Sequence, residues 1–290
     1  MTMRQNALGY AFISPWLLGF IIFKVFPFAA SIYLSFCRYN VISAPIWVGW
    51  ANYDELFNND PRFWVSLLNT FHYAIVAVPL CIAAAFGLAL LLNVEVRGIA
   101  VYRTVFFLPY IVPTVATSVV FMWILNPQIG LINGILRYCG VIGPAWLMDP
   151  AWAMRSLIFM SLWGIGGSVI IYLAGLKDIP LSLYEAATCD GAGVFGRAWH
   201  ITLPMMTPVI FFNLIMGVIG AFEYFTQAYI MTQGEPGDST LFYSLYLFYR
   251  AWRYLDMGYA SAMAWVLFFL VTLVTAVLFK TQRRWVHYEN

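Results

Sequence analysis

Charged residues are scarce in this 290-residue sequence. Asp, Glu, Lys and Arg together make up only 10%, whereas hydrophobic residues make up 62%. Soluble domains average about a quarter charged and about half apolar residues. The composition therefore excludes an ordinary soluble protein and favours a membrane protein. The formal net charge of +2 is also too small to indicate a nucleic-acid partner.

Cysteine and histidine are rare as well, with four and three copies, and no C-x-x-C pair occurs. Metal sites need clustered ligands, so the sequence predicts no metal site and no catalytic residue. The chain also lacks a G-x-x-x-x-G-K-[ST] phosphate loop. We therefore expect it to bind no ATP by itself and to need an ATPase partner for any ATP-driven activity.

Six apolar runs are long enough to cross a bilayer, which takes about 20 helical residues. They cover approximately 8–36, 69–92, 104–125, 154–176, 205–231 and 259–280. No other stretch is typical of a soluble domain. We predict an all-α membrane protein with six transmembrane helices in a single domain, 1–290.

The basic residues predict the orientation, because positive charge concentrates in cytoplasmic loops. With six spans, both termini lie on one side. That side carries Arg4, Arg97, Arg103, Lys177, Arg197, Lys280, Arg283 and Arg284. The opposite side carries Arg38, Arg62, Arg137, Arg155, Arg250 and Arg253, together with most of the acidic residues. This bias predicts that both termini and the segment 178–204 face the cytoplasm.

The segment 178–204, between the fourth and fifth runs, carries a spaced motif. Glu185-Ala186-Ala187 precedes Gly191, and nine residues separate Gly191 from Ile201-Thr202-Leu203-Pro204. The alanines let another surface approach the backbone, while Glu185 offers a charged acceptor. We predict a short helix that Gly191 ends and a second one through Phe195 and Trp199.

This motif resembles the cytoplasmic coupling loop of permease subunits in bacterial ABC importers. Other parts of the chain are similar to carbohydrate permeases of the maltose and glycerol-phosphate type, specifically to the maltose transporter's first permease. These parts are Gly9-Tyr10, Ser14-Pro15-Trp16, 103–109, Asn126-Pro127, 175–180, 231–234 and 258–262. The resemblance implies the type I importer fold. It also implies the ATPase-coupling residues Glu185, Ala186, Ala187, Asp190, Gly191, Ile201, Leu203 and Pro204.

The resemblance further implies a function: a pore subunit that moves a mono- or oligosaccharide inward by alternating access in the cytoplasmic (inner) membrane of a bacterium or archaeon. The expected partners are a second homologous permease, two ATP-binding subunits that use ATP and Mg²⁺, an extracytoplasmic solute-binding protein and membrane lipid. The chain itself is expected to bind no cofactor and to perform no bond chemistry.

Polar and small residues inside the fourth and fifth spans are candidates for the substrate pathway, because polar groups in a span usually face a cavity or another helix. They are Trp163, Gly164, Gly167, Asn213, Gly217, Gly220, Glu223, Tyr224 and Gln227. Asn213, Gly217, Gly220 and Tyr224 follow one helical stripe. The glycines are equally typical of close helix packing, and Glu223 alternatively pairs with Lys24 or lies near the outer interface.

Two other functions stay open at this stage. One is an ABC permease for another solute, such as glycerol phosphate, a polyol or an amino acid. A phosphorylated solute would favour a cationic lining, which the fourth and fifth spans lack. The other is a membrane enzyme or an ion-driven secondary transporter, and in a secondary transporter an internal repeat and intramembrane charge clusters are more usual.

Overall fold

The computed structural model describes residues 3–94 and 96–287, with side chains from residue 10 onward. The described chain is mostly helical and divides into two compact units. One comprises Met1–Pro61 and Leu247–Phe269, the other Arg62–Tyr246 and Leu270–Asn290. The single domain over 1–290 stays a prediction, and its ends, 1–2 and 288–290, lie outside the described residues.

The first unit begins with a helix in three consecutive parts: Met3–Phe20, the π-helical turn Ile21–Val25, and Phe26–Ser35. Tyr10–Ser35 is a candidate membrane span, and none of its apolar window is buried within the described chain. The unit also contains the short helical segments Ala51–Asp54, Glu55–Asn59 and Tyr249–Arg253 and the first part of the helix Met257–Gln282.

A small hairpin in the first unit was not predicted. Its strands, Cys37–Arg38 and Ile46–Trp47, pair antiparallel, with Cys37 opposite Trp47. Two-residue strands are too short to produce a period-two pattern, so only the folded backbone reveals them.

Asp60 is a buried carboxylate in the first unit. Its Oδ2 accepts hydrogen bonds from Tyr259 Oη at 2.5 Å and from Arg250 Nη2 at 2.8 Å. The Arg250 guanidinium also lies over the Tyr259 ring, 4.2 Å from its centroid. A buried charge is tolerated when it is paired and hydrogen-bonded. These contacts therefore hold Asp60, which directly precedes the second span, against the turn Tyr249–Arg253 and the start of the last helix.

The second unit contains most of the remaining helices. In chain order they are Pro61–Leu92, Ile99–Ile111, Thr114–Ile124, Leu131–Tyr138, Pro150–Ser161, Leu162–Gly164 (3₁₀), Gly166–Asp178, Leu181–Cys189, Val194–Arg197, Ala198–Thr202 (π), Leu203–Met205, Thr207–Phe222, Thr226–Met231 and Tyr243–Phe248. The end of Met257–Gln282 also belongs to it. Its main core cluster joins Ala85, Ala89 and Leu92 to Val169, Tyr172 and Leu173.

Four helices of the described chain are long and apolar enough to cross a membrane, and two bent helix pairs raise this number to six if each pair is one span. The six predicted runs coincide with these segments. The second begins at Pro61 instead of residue 69, because Phe63 and Ser66 are buried and extend the helix beyond the apolar run. Proline is favoured in a first helical turn.

The third run, 104–125, is not one straight helix. Ile99–Ile111 and Thr114–Ile124 meet at 96°. Val112 between them is extended, with φ −67° and ψ 130°. Proline disfavours helical conformation in the residue before it and removes a backbone donor, so Pro113 accounts for the break. The expected continuous span at 104–125 is corrected accordingly.

The fourth and fifth runs are also interrupted. Pro150–Gly164 and Gly166–Asp178 meet at 48°. In the fifth run, Thr207–Phe222 and Thr226–Met231 are separate helices. The Ser244 hydroxyl donates to the Phe222 carbonyl at 2.8 Å, and this bond satisfies an acceptor freed by the interruption. A hydropathy pattern contains no information on such bonds, so the sequence predicted that the fourth and fifth runs are continuous helices.

Candidate functional site

The segment 178–204 folds as two short helices joined by a tight turn, as predicted. The helix Leu181–Cys189 follows Pro180, and Gly191 has φ +78°. Gly191 N donates to Thr188 O at 3.0 Å, and Ala192 N donates to Ala187 O at 2.8 Å. This pair of bonds is a Schellman motif, in which glycine adopts the left-handed conformation at least cost.

Two side-chain bonds tie the helices of this segment together. Tyr184 Oη and Thr202 Oγ1 lie 2.9 Å apart, and Arg197 Nη1 donates to Thr188 Oγ1 at 3.1 Å. Tyr184 and Ile201 also pack against the core cluster of the second unit. The segment is therefore a braced projection with a fixed shape, which we call the coupling projection (residues 178–204).

The structure divides the predicted coupling residues into two groups. Glu185, Ala186, Asp190 and Gly191 are exposed. Ala187, Ile201, Leu203 and Pro204 are partly buried, and the Ile201 contact with the core shows how the projection is anchored. The first group is accessible at the surface, and a role of either group in contacting an ATPase stays a prediction.

Exposed apolar side chains on the same projection were not among the predicted site residues. Phe195 is 92% exposed, Leu181 70% and Trp199 69%. Several large apolar side chains exposed on one short segment are typical of a protein or membrane contact. The sequence did contain a signal for this exposed apolar surface, namely large aromatic residues in a segment between two predicted spans.

A cavity of about 300 Å³ lies among the helices Pro61–Leu92, Gly166–Asp178 and Thr207–Phe222. Four of the predicted pathway residues, the helical stripe of the fifth span, all line it: Asn213, Gly217, Gly220 and Tyr224. From the second span, Tyr73, Ala77 and Cys81 complete the wall. Their spacing of four residues puts them on one helical face. This spacing is visible in the sequence, but these three residues were not among the predicted pathway residues.

A second cavity of about 390 Å³ is lined by Trp163, Gly164, Tyr224 and Gln227 of the predicted set. Both cavities share part of their wall, which consists of Tyr73, Cys81, Ser161, Ser168 and Tyr224. In this wall the Tyr73 and Tyr224 ring centroids lie 4.4 Å apart, and Cys81 Sγ lies 3.2 Å from Ser161 Oγ.

The remaining predicted pathway residues, Gly167 and Glu223, are not among the described residues that line these cavities. A Cβ on Gly167 would lie 2.8 Å from the Tyr110 ring, so this glycine allows close packing. Glu223 is exposed at the interruption of the fifth run. Their role in the pathway stays a prediction.

The chemistry of both cavities is neutral. Their described linings contain hydroxyl, amide, thiol, aromatic and aliphatic groups, without an Asp, Glu, Lys, Arg or His side chain. Aromatic faces stack on the C–H face of a sugar, and amides and hydroxyls both donate to and accept from its hydroxyls.

Across residues 3–94 and 96–287, no group of three or more His, Cys, Asp or Glu is placed to hold a metal ion.

Next to these cavities, the chain after the fifth run is packed into the protein. Tyr243 N donates to Thr70 Oγ1 at 2.9 Å, and the Phe242 ring lies 4.8 Å from that of Tyr224. Burial raises the pKa of the Tyr243 hydroxyl above its ordinary value, so this group stays protonated at neutral pH.

Residues 77–287 match the family described as binding-protein-dependent transport system inner membrane component, and the chain belongs to this family. It is 48% identical over 291 residues to the probable ABC transporter permease protein YesP of Bacillus subtilis, covering 99% of this chain and 94% of the relative. It is 36% identical over 286 residues to SmoG of Agrobacterium fabrum, a sulfoquinovosyl glycerol transport system permease protein, covering 98% and 92%.

The fold also matches a solved chain, from the crystal structure of a bacterial alginate ABC transporter in complex with an alginate pentasaccharide-bound periplasmic protein. The TM-score is 0.86 at 22% identity, and the match covers 97% of this chain and 96% of that chain. At this identity the likeness shows the fold alone, and it confirms the importer permease fold.

The chain is therefore a multi-pass permease of an ABC transporter: a non-catalytic membrane subunit whose ATPase is a separate chain. A binding-protein-dependent system is driven by that ATPase, so the ion-driven secondary transporter is set aside.

Proposed function

We propose that this permease is one half of the pore of a sugar importer and moves a mono- or oligosaccharide into the cytoplasm. One observation carries this proposal: a single neutral cavity is lined by Tyr73 of the second span and by a stripe of the fifth span, which consists of Asn213, Gly217, Gly220 and Tyr224. The names of two similar proteins also concern sugars, sulfoquinovosyl glycerol in one and the acidic polysaccharide alginate in the other, and they support a sugar without supporting a neutral one.

The alternative solutes fit these cavities less well. A glycerol phosphate or an amino acid carries charge, and a buried charge needs a paired group. The described linings of both cavities lack one. A neutral polyol fits the hydroxyl and amide groups but makes less use of Trp163 and the tyrosines, so a sugar is the better match.

The coupling projection is the proposed contact with the ATP-binding subunits. Glu185 and Asp190 offer acceptors, Ala186 and Ala187 admit a close approach, and the same segment carries the exposed apolar side chains Leu181, Phe195 and Trp199. The basic-residue bias supports a cytoplasmic position for this projection and both termini. The two ATPase subunits would bind ATP and Mg²⁺, and this chain would supply only the contact.

The complete importer is proposed to contain a second homologous permease, two ATPase subunits and an extracytoplasmic solute-binding protein, in the bacterial or archaeal inner membrane. Movement of the ATPase subunits would displace the coupling projection, and because this projection is braced against the core, the helices around the cavities would move with it. Alternating access then follows from two discrete arrangements of the same helices.

Affinity purification of the chain from its native membrane, followed by mass spectrometry, tests this assembly. We expect an ATPase and a second permease to copurify. Reconstitution of that complex with its binding protein should then give ATP-dependent uptake of a radiolabelled sugar. A chain that purifies alone and transports without ATP would contradict the proposal, and uptake of only non-sugar solutes would contradict its sugar component.

A further inference from the structure

A third cavity, of about 440 Å³, lies between the helices Ile99–Ile111 and Gly166–Asp178 in the second unit, apart from the two cavities described above. Most of its wall is apolar and consists of Leu92, Phe107, Val169, Ile170 and Leu173. Two cationic side chains, Arg103 and Lys177, also line it. An apolar groove with a pair of cations differs from the neutral sugar-type lining of the other cavities.

The two cations lie at the same end of this cavity. The helices run antiparallel here, because Gly167, at the start of one, lies against the ring of Tyr110, at the end of the other, while Lys177 and Arg103 from the opposite ends line the same cavity. Arg103 is near the start of Ile99–Ile111, and Lys177 is in the last turn of Gly166–Asp178. The groove is therefore cationic at one end and apolar along its length.

Both cations retain unused hydrogen-bonding capacity. Arg103 Nε and Nη2 donate to the Leu92 carbonyl at 3.2 and 2.9 Å, which leaves the donors of Nη1. Lys177 is exposed, and no described residue accepts a hydrogen bond from its ammonium group or forms an ion pair with it. An arginine and a lysine that line the same end of an apolar groove provide donors suited to a phosphate.

We propose that this cavity binds an anionic phospholipid, with the phosphate between Arg103 and Lys177 and an acyl chain along Phe107 and Ile170. Basic pockets between transmembrane helices on the cytoplasmic side are suited to anionic lipid headgroups. Free phosphate would use the cations and leave the apolar wall without a partner, so the wall favours a lipid.

The position of the cavity gives the lipid an influence on coupling. Leu92, Val169 and Leu173 line the cavity and also belong to the core cluster, against which Tyr184 and Ile201 of the coupling projection pack. Lys177 itself lies shortly before Pro180, where the coupling projection begins its first helix. A lipid bound in the cavity would therefore fix the core residues against which the coupling projection packs. This step rests on the proposed role of the projection.

The test uses the assembled importer, purified in detergent and stripped of lipid. Phosphatidylglycerol or phosphatidylcholine is added back, and bound lipid is counted by native mass spectrometry, with the thermal midpoint measured in parallel. We expect retention of phosphatidylglycerol and a higher midpoint with it than with phosphatidylcholine. Inorganic phosphate alone should not reproduce the shift.

Lys177→Gln should weaken phosphatidylglycerol binding about fivefold, because one basic residue near a lipid surface contributes about 1 kcal/mol. Lys280→Gln is the matched control, since Lys280 is also an exposed lysine in the last turn of a helix but does not line this cavity. Ala174→Phe adds a ring to the cavity wall and should displace the lipid with the charges kept.

Equal effects of Lys177→Gln and Lys280→Gln would overturn the proposal. So would efficient cross-linking of Ala174→Cys to the second permease in the lipid-replete complex, which would make this groove a subunit interface. Uptake of the sugar is measured separately. If uptake and its coupling to ATP hydrolysis are the same in every lipid, the lipid site is contradicted and the proposed function is not. If no lipid supports ATP-dependent uptake, the proposed function itself is contradicted.

Discussion

Arg62 and Asp238, 176 residues apart in the chain, form a two-point ion pair. Arg62 Nη2 lies 2.6 Å from Asp238 Oδ1, and Nε lies 2.9 Å from Oδ2. Asn69 Nδ2 adds a bond to the Asp238 carbonyl at 2.7 Å. The start of the long helix Pro61–Leu92 is thereby joined to the chain that follows the fifth run, close to where Phe242 contacts Tyr224.

Arg62→Lys should lower the stability of the second unit by about 1 kcal/mol, because lysine keeps the charge but not the planar two-point geometry, and both partners are partly exposed. The thermal midpoint of the purified complex is the measurement. Arg155→Lys, which changes an arginine that lies over Trp152, is the control. An equal or smaller loss in Arg62→Lys would show that the two-point pair contributes little.

Gly220→Leu should reduce uptake severely without lowering the thermal midpoint. A Cβ at Gly220 meets nothing within 4 Å, and the residue lines the cavity of about 300 Å³, so the new side chain would occupy open space. Gly217→Ala is the contrasting variant, because its Cβ would lie 2.9 Å from Val78 Cγ1 and should lower stability instead. Normal uptake by Gly220→Leu would exclude this cavity from the pathway.

Tyr224→Phe should lower uptake while the ATPase stays bound. The change removes only the hydroxyl, which also hydrogen-bonds with the Tyr73 side chain, and keeps the ring contacts with Tyr73 and Phe242. The loss therefore reports on the hydrogen bonds of this hydroxyl, to the solute and to Tyr73. A neutral hydrogen bond contributes about 0.5–1.5 kcal/mol, which predicts a loss of about two- to tenfold in the apparent affinity for the sugar. Tyr224→Ala should be worse, and dissociation of the ATPase in either variant would instead indicate a packing role.

Glu185→Lys should leave the protein inserted but separate ATP hydrolysis from uptake. Glu185 is exposed on the coupling projection, and reversal of its charge would repel a cationic cleft on the ATPase. A hydrogen bond to a charged group contributes about 1.5–3 kcal/mol, so uptake should fall about tenfold or more. Uptake should fall less in Glu185→Gln, because glutamine keeps a hydrogen-bond acceptor. Uptake at the native level in Glu185→Lys would contradict the assignment.

Local chemistry explains which features could be predicted from the sequence. The coupling projection depends on Gly191 and on neighbouring backbone groups, so its two helices and its turn were predictable. The stripe of Asn213, Gly217, Gly220 and Tyr224 was likewise predictable, since one helix sets its periodicity. The second wall of the same cavity comes from Tyr73 on another helix, and its proximity cannot be derived from either helix alone.

The sequence by itself determined that this protein spans a membrane, in about which segments, and that the segment 178–204 forms two short helices joined by a turn. Apolar runs and glycine conformations are properties of short stretches, and bilayer burial requires helices whatever their neighbours. The break at Val112 follows from Pro113, whereas tertiary structure decided the interruption at Glu223 and the contact of Tyr73 with Tyr224. These two features depend on contacts between distant segments, such as the bond of Ser244 to the Phe222 carbonyl, which takes the place of a local helical bond, and they are not encoded by periodicity.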